Sequence, residues 1–113
     1  WVISDRFSGS TTCYQGYGRN LSLATITQLE QIATQGLVPD LTFWLDLPVQ
    51  ESLKRRGESS NDRIEAEGAE FLSKVSEGFR SLAKSRNWIR ISAENNEYLV
   101  QEKIQSAIER YLE

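Results

Sequence analysis

The chain has 113 residues, the size of one ordinary domain, and its 39% apolar share is enough for a modest core. A formal net charge of -3 argues against a broad nucleic-acid footprint. With no histidine and one cysteine, Cys13, the chain has no Ser-His-Asp or Cys-His catalysis, no intrachain disulfide and no ordinary zinc site. Cys13 reads as a small, partly buried thiol on a helix.

No apolar run approaches the ~20 residues of a membrane span, and no charged-then-apolar signal segment opens the chain. A cytoplasmic protein is expected. Methionine is absent and residue 1 is Trp, so the chain is expected to start inside a longer protein, with Trp1-Val2-Ile3 reading as mid-strand.

Taken in chain order, Trp1 to Ser4 is a short apolar, β-branched run and predicts a buried strand, ended by Asp5-Arg6. Ser8 to Tyr17 is polar and aromatic and predicts a helix from about Ser10, loosened at Gly16 and Gly18. Leu23, Ile26, Leu29, Ile32 and Ala33 recur at helical spacing, with Gly36 as the stop and Pro39 beyond it. Leu41 to Leu47 is nearly continuous apolar and suits a parallel strand buried on both faces. Pro48 opens a short helix to about Arg56. Gly57 to Asn61 is a polar loop. From about Ile64, the residues Phe71, Leu72, Val75, Phe79, Leu82 and Ala83 make one stripe of a long helix. Trp88 to Ser92 predicts a third strand. Asn95 or Asn96 caps a last helix whose inner face is Val100, Ile104, Ala107, Ile108 and Tyr111. The order β-α-α-β-α-α-β-α predicts an α/β layer with parallel strands.

Ligands of parallel α/β sheets bind outside the carboxyl ends of the strands. Three strand exits are predicted, at Asp5-Arg6, Asp46 and Ser92-Ala93-Glu94, and all three are expected along one rim. Arg6 can offer a planar fork to a phosphate and Asp5 can orient it or hold water or a metal ion; taken alone, the pair better describes a strand-end salt bridge with a helix cap. Ser10, Thr11, Tyr14 and Gln15 fall three or four apart and can share one helix face. Two hydroxyls, a phenol and an amide there could read a pyrimidine edge and a sugar, or form a solvated helix start. Lys54-Arg55-Arg56, with Arg63 across the polar loop, could close over transferring phosphates or make surface ion pairs.

Together these segments resemble bacterial thymidylate (dTMP) kinases. Val2 to Phe7, then Ser10-Thr11 and Tyr14-Gln15-Gly16-Tyr17-Gly18-Arg19, resemble that family's D-R-[YFH]…S-T-x-x-Y-Q-G-x-G-R segment. Pro39 to Pro48 resembles its P-D-L-T-x-x-L-D-x-P strand, and Asp62-Arg63-Ile64-Glu65 its lid motif. The resemblance implies part of a P-loop nucleoside-monophosphate-kinase-like parallel sheet flanked by helices. Residues 1–113 would be the C-terminal portion of one such domain, with a lid at about 54–65. It implies transfer of the ATP γ-phosphoryl group to dTMP, with Mg²⁺ as cofactor, in dTTP biosynthesis, and a homodimer in the full protein. Arg6, Asp5 and Arg63 would be catalytic. Arg6, Ser10, Thr11, Tyr14 and Gln15 would bind dTMP, with Ser10 and Thr11 at the thymine edge and Tyr14 excluding ribose. Arg55, Arg56 and Arg63 would cover the ATP phosphates, and the loop after Ile91 would pass near adenine. No residue is assigned to a metal.

The chain departs from that pattern in two respects. It holds no G-x-x-x-x-G-K-[ST] phosphate loop, and in the family that strand lies between those matching Trp1–Ser4 and Leu41–Leu47. The family's upstream helix that stacks on thymine has no match here either. A chain lacking the centre of its sheet is expected to be inactive and marginally folded by itself. A kinase for another nucleotide base, and a non-catalytic binding or dimerisation module, are the alternative readings.

Overall fold

The computed structural model describes residues 1–56 and 62–113, and only the backbone of 62–67. The order is α1 (Ser8–Thr11), a π-helical segment (Thr12–Gly18), α2 (Leu23–Thr34), β1 (Phe43–Asp46), α3 (Val49–Arg55), α4 (Asp62–Ser85), β2 (Ile89–Ser92) and α5 (Glu97–Leu112). The result is a helix-rich α/β fold around a two-stranded parallel sheet, in which Phe43 pairs with Ile89 and Asp46 with Ser92.

Local chemistry sets most element ends. Ser22 Oγ accepts from the Thr25 amide at 3.3 Å and starts α2. Gln35 (φ 54°) and Gly36 (φ 77°) end it in left-handed conformation. Pro48 precedes α3, and Asn96 caps α5 by accepting from Leu99 N at 3.0 Å. The helix expected from Ser10 starts at Ser8 and widens at Thr12. There the closing bonds become i→i+5, as in Arg19 N donating to Tyr14 O at 3.2 Å.

The expected first strand does not form. Trp1, Val2 and Ile3 are 88%, 98% and 91% exposed and belong to no ladder. An apolar, β-branched run becomes a strand only beside another strand, and among the described residues none lies next to it. For the same reason Leu45 of β1 is 52% exposed rather than buried on both faces. The stripe on α2 is also thinner than expected: Ile26 is buried, whereas Leu29 and Ile32 are 59% and 75% exposed. On α5, Val100, Ile104, Ala107 and Ile108 are half-buried, but Tyr111 is exposed.

The core forms where the π-helical segment lies on α4. Cys13, Val75 and Leu82 are buried, ringed by Tyr14, Phe71, Phe79 and Trp88. The aromatic rings sit in tilted or edge-on pairs, 6.0 Å for Tyr14–Phe71, 6.2 Å for Tyr14–Phe79 and 6.5 Å for Phe79–Trp88. The α4 stripe is therefore the inner face the sequence predicts. Beyond this cluster the packing is loose. The radius of gyration is 15.5 Å, against about 13 Å for a compact domain of this length.

Two glycines permit the close approach. A Cβ on Gly9 would stand 2.4 Å from the Trp88 ring, and one on Gly78 would stand 2.8 Å from the Tyr17 ring and 2.9 Å from Tyr17 Cβ. Alanine at position 78 would gain about 1 kcal/mol of helix propensity, but the tyrosine Cβ is anchored to backbone and cannot swing away. Overpacking of about 1–3 kcal/mol then prevails. Gly78→Ala is expected to lower stability by roughly 1 kcal/mol, read as a fall in the urea midpoint at constant m-value; an unchanged or raised midpoint would show that the two elements can part without loss.

Candidate functional site

Asp5 and Arg6 precede α1 in an exposed turn. Arg6 has φ 71°, a left-handed conformation that costs a non-glycine residue on the order of 1–2 kcal/mol. Its carbonyl is fixed by Ser4 Oγ, which donates to it at 2.6 Å. Its guanidinium carbon lies 5.7 Å from the centre of the Tyr14 ring, a cation–π arrangement. The backbone outlier and the ring together hold an exposed cation beside a half-buried phenol.

Of the residues expected on one helix face, Ser10, Tyr14 and Gln15 are half-buried and Thr11 is exposed. Tyr14 packs into the aromatic cluster and meets Arg6. Among the described residues, no hydrogen bond ties the side chain of Asp5, Ser10, Thr11 or Gln15 to a protein group.

The basic cluster is divided. Arg55, in the last turn of α3, pairs with Glu51 at 3.4 Å and sends Nη2 toward Glu94 O at 3.5 Å, which places it against the loop after β2. Arg56 follows the helix as its C-cap. The loop 57–61 lies outside the described residues; Arg63 is in the first turn of α4 and its side chain lies outside them too.

The expected single rim is not formed. Asp46 and Glu94 line a cleft of about 370 Å³ at the carboxyl end of β1, with Ser73, Ser76, Glu77 and Arg80 of α4. These four project about half a helical turn away from Val75, Gly78 and Leu82, which face the π-helical segment. Arg6 and Tyr14 thus stand on one flank of α4 and the cleft on the other, because Trp1–Ser4 is not a strand of the sheet. Inside the cleft, Arg90 Nε meets Asp46 Oδ2 at 2.6 Å.

Three contacts escaped the sequence reading. One is the Arg90–Asp46 pair. The second is Arg19, whose guanidinium carbon lies 5.3 Å from the centre of the Phe71 ring. The third joins Thr12, Glu30 and Arg86. Thr12 Oγ1 donates to a Glu30 carboxylate oxygen, whose other oxygen meets Arg86 Nη2 at 3.3 Å. Cross-strand register would have shown the first, but partners 18, 52 and 56 residues apart leave no local pattern.

Comparison with known proteins supplies what geometry leaves open. The thymidylate kinase family model matches residues 1–104. The chain belongs to the thymidylate kinase family. It is 61% identical over 112 residues to the thymidylate kinase of Prochlorococcus marinus (strain MIT 9313), covering 99% of this chain and 50% of that protein. It is 55% identical over 108 residues to that of Synechococcus sp. (strain CC9311), covering 96% and 51%. The thymidylate kinase of Prochlorococcus marinus (strain NATL2A) is 53% identical over 112 residues, covering 99% and 53%. The chain therefore spans about half the length of the curated thymidylate kinases it matches. Among the described residues, no helix is long and apolar enough to cross a membrane.

One titration can be read from this geometry. Burial pushes the Cys13 thiol from 9.0 up to about 12; Arg86 pulls it down and Glu30 adds to the rise. The folded thiol keeps its proton where the unfolded one has lost it. This contribution to stability is therefore full below about pH 9 and is lost as pH rises toward 12. Urea unfolding of the parent and of Cys13→Ala is expected to diverge in slope above pH 9; parallel profiles would mean the thiol ionises freely in the folded chain.

Proposed function

We propose that this chain forms the thymidylate-reading half of a dTMP kinase, an enzyme that moves the γ-phosphoryl group of ATP to dTMP and yields dTDP. The observation that carries the reading is Arg6, held in a left-handed backbone conformation with its guanidinium exposed against Tyr14. Such strain persists where a side chain must be aimed. The thymidylate kinase family match supports dTMP as the substrate.

In this reading Arg6 binds the dTMP phosphate through its planar donor fork. Tyr14 stands beside it against the deoxyribose, where its ring fills the space of a 2′-hydroxyl. Ser10 and Thr11 meet the thymine edge and Gln15 supports the nucleoside. The acceptor needs no strong base, since a phosphate monoester has a second pKa of about 6. Catalysis then rests on positioning and on neutralising charge. Arg55, Arg56 and Arg63 belong to a lid over the ATP phosphates; Arg55 reaches the loop after β2.

Magnesium would serve as the counter-ion of the phosphates. Among the described residues no three acidic or thiol side chains lie close enough to hold a metal. Asp5 alone does not make such a site. The fold implied is the nucleoside-monophosphate-kinase-like sheet, with residues 1–113 as one portion of a single domain of a cytoplasmic homodimer. The absence of a phosphate-loop motif from these 113 residues favours a second reading for the chain alone, a nucleotide-binding or dimerisation module.

The deciding assay is ATP-dependent formation of dTDP by the 113-residue chain and by a chimera. The chimera adds the part of the Prochlorococcus marinus (strain MIT 9313) relative that this chain does not span. The chimera is expected to turn over, the chain alone not. Arg6→Ala in the chimera is expected to lower kcat/KM on the order of a hundredfold or more. Turnover by the chain alone would refute the half-enzyme reading, and an inactive chimera that still binds dTMP would favour the binding module.

A further inference from the structure

Three polar side chains at the base of the π-helical segment have no part in the reading above. Thr12 is 3% exposed, Glu30 is 11% exposed at its side chain and Arg86 33%. They connect three elements: the π-helical segment, α2 and the turn after α4.

Threonines inside helices ordinarily donate to the carbonyl four residues back. Two on α2 do so: Thr27 to Leu23 O at 2.9 Å and Thr34 to Glu30 O at 2.8 Å. Thr12 does not. It reaches 18 residues along the chain to the Glu30 carboxylate. A carboxylate with most of its surface covered is a costly acceptor, and apolar residues of similar volume could fill the space without the desolvation cost. What a charged, directional partner adds is a fixed azimuth for the threonine.

That azimuth matters because Thr12 is where the backbone changes from α to π winding. A turn that can close on either four or five residues has two registers, and they aim every later side chain differently. Cys13, fully buried, anchors the next residue against Val75 and Leu82. Tyr14 and Gln15 follow directly. Pinning Thr12 therefore settles where the phenol and the amide point.

We propose that Glu30, held by Arg86, is a positioning residue that fixes the register of the π-helical segment and thereby aims Tyr14 and Gln15 at the nucleoside. The nucleoside part rests on the dTMP kinase reading; the register does not.

The test separates the two. Iodoacetamide labelling of Cys13 in the chimera, read by peptide mapping, reports opening of the segment without any substrate. Thr12→Val keeps the volume and removes the donor; Thr12→Ser keeps the donor; Glu30→Gln keeps an acceptor and loses the ion pair. Labelling is expected to rise roughly tenfold or more in Thr12→Val and to stay near the parent rate in Thr12→Ser, with Glu30→Gln between them. In the chimera, Thr12→Val is expected to raise KM for dTMP with KM for ATP unchanged, and Thr12→Ser to restore it. Unchanged labelling in Thr12→Val overturns the proposal. So does faster labelling with a lower urea midpoint but no change in KM for dTMP, which would make the contact structural only. A parent chimera that neither binds nor phosphorylates dTMP would sink the kinase reading, and the labelling series would then decide the register by itself.

Discussion

The described structure depends on one close contact, the π-helical segment against α4. Gly78 lets the Tyr17 ring settle on the helix, Tyr17 Oη reaches Ser81 Oγ at 3.3 Å, and Cys13 closes the gap between Val75 and Leu82. The rest attaches to these two elements. Trp88 joins the aromatic ring of the core just ahead of β2, and β2 pairs with β1. Without this contact neither the sheet nor Tyr14 would have a fixed place, because the remaining apolar side chains are mostly half-buried or exposed.

The same contact organises chemistry on both flanks of α4. Its inner stripe holds the phenol that meets Arg6, and its opposite side walls the cleft at the end of β1. A helix long enough to touch both keeps two groups of polar residues at a set separation. The family assignment fits that arrangement, and the half-length coverage of the relatives fits the strand edges and apolar residues left open.

Much of this was legible in the sequence, but unevenly. The stripe from Phe71 to Ala83 announced α4 because a 3.6-residue period over several turns has no other explanation. Phe43–Asp46 and Ile89–Ser92 were readable from dense apolar runs bounded by breakers. Trp1–Ser4 shows the limit of that logic: hydrophobicity records what a segment could bury, not whether a neighbour is present to bury it. Leu29 and Ile32 fail for the same reason. The π winding at Thr12 left no period of its own over seven residues, and Thr12, Glu30 and Arg86 meet only once three elements are packed. The motif containing Tyr14 and Gln15 was visible as chemistry, while its aim was set by a carboxylate elsewhere in the chain.

The left-handed backbone at Arg6 carries a consequence for evolution. Glycine would relieve about 1 kcal/mol of backbone strain at that position and leave nothing to grip an anion. A library screened for folded protein should therefore enrich glycine there, while, under the proposed reading, one screened for anion binding should discard it. Under the proposed dTMP kinase reading, selection for stability and selection for chemistry would pull this residue in opposite directions.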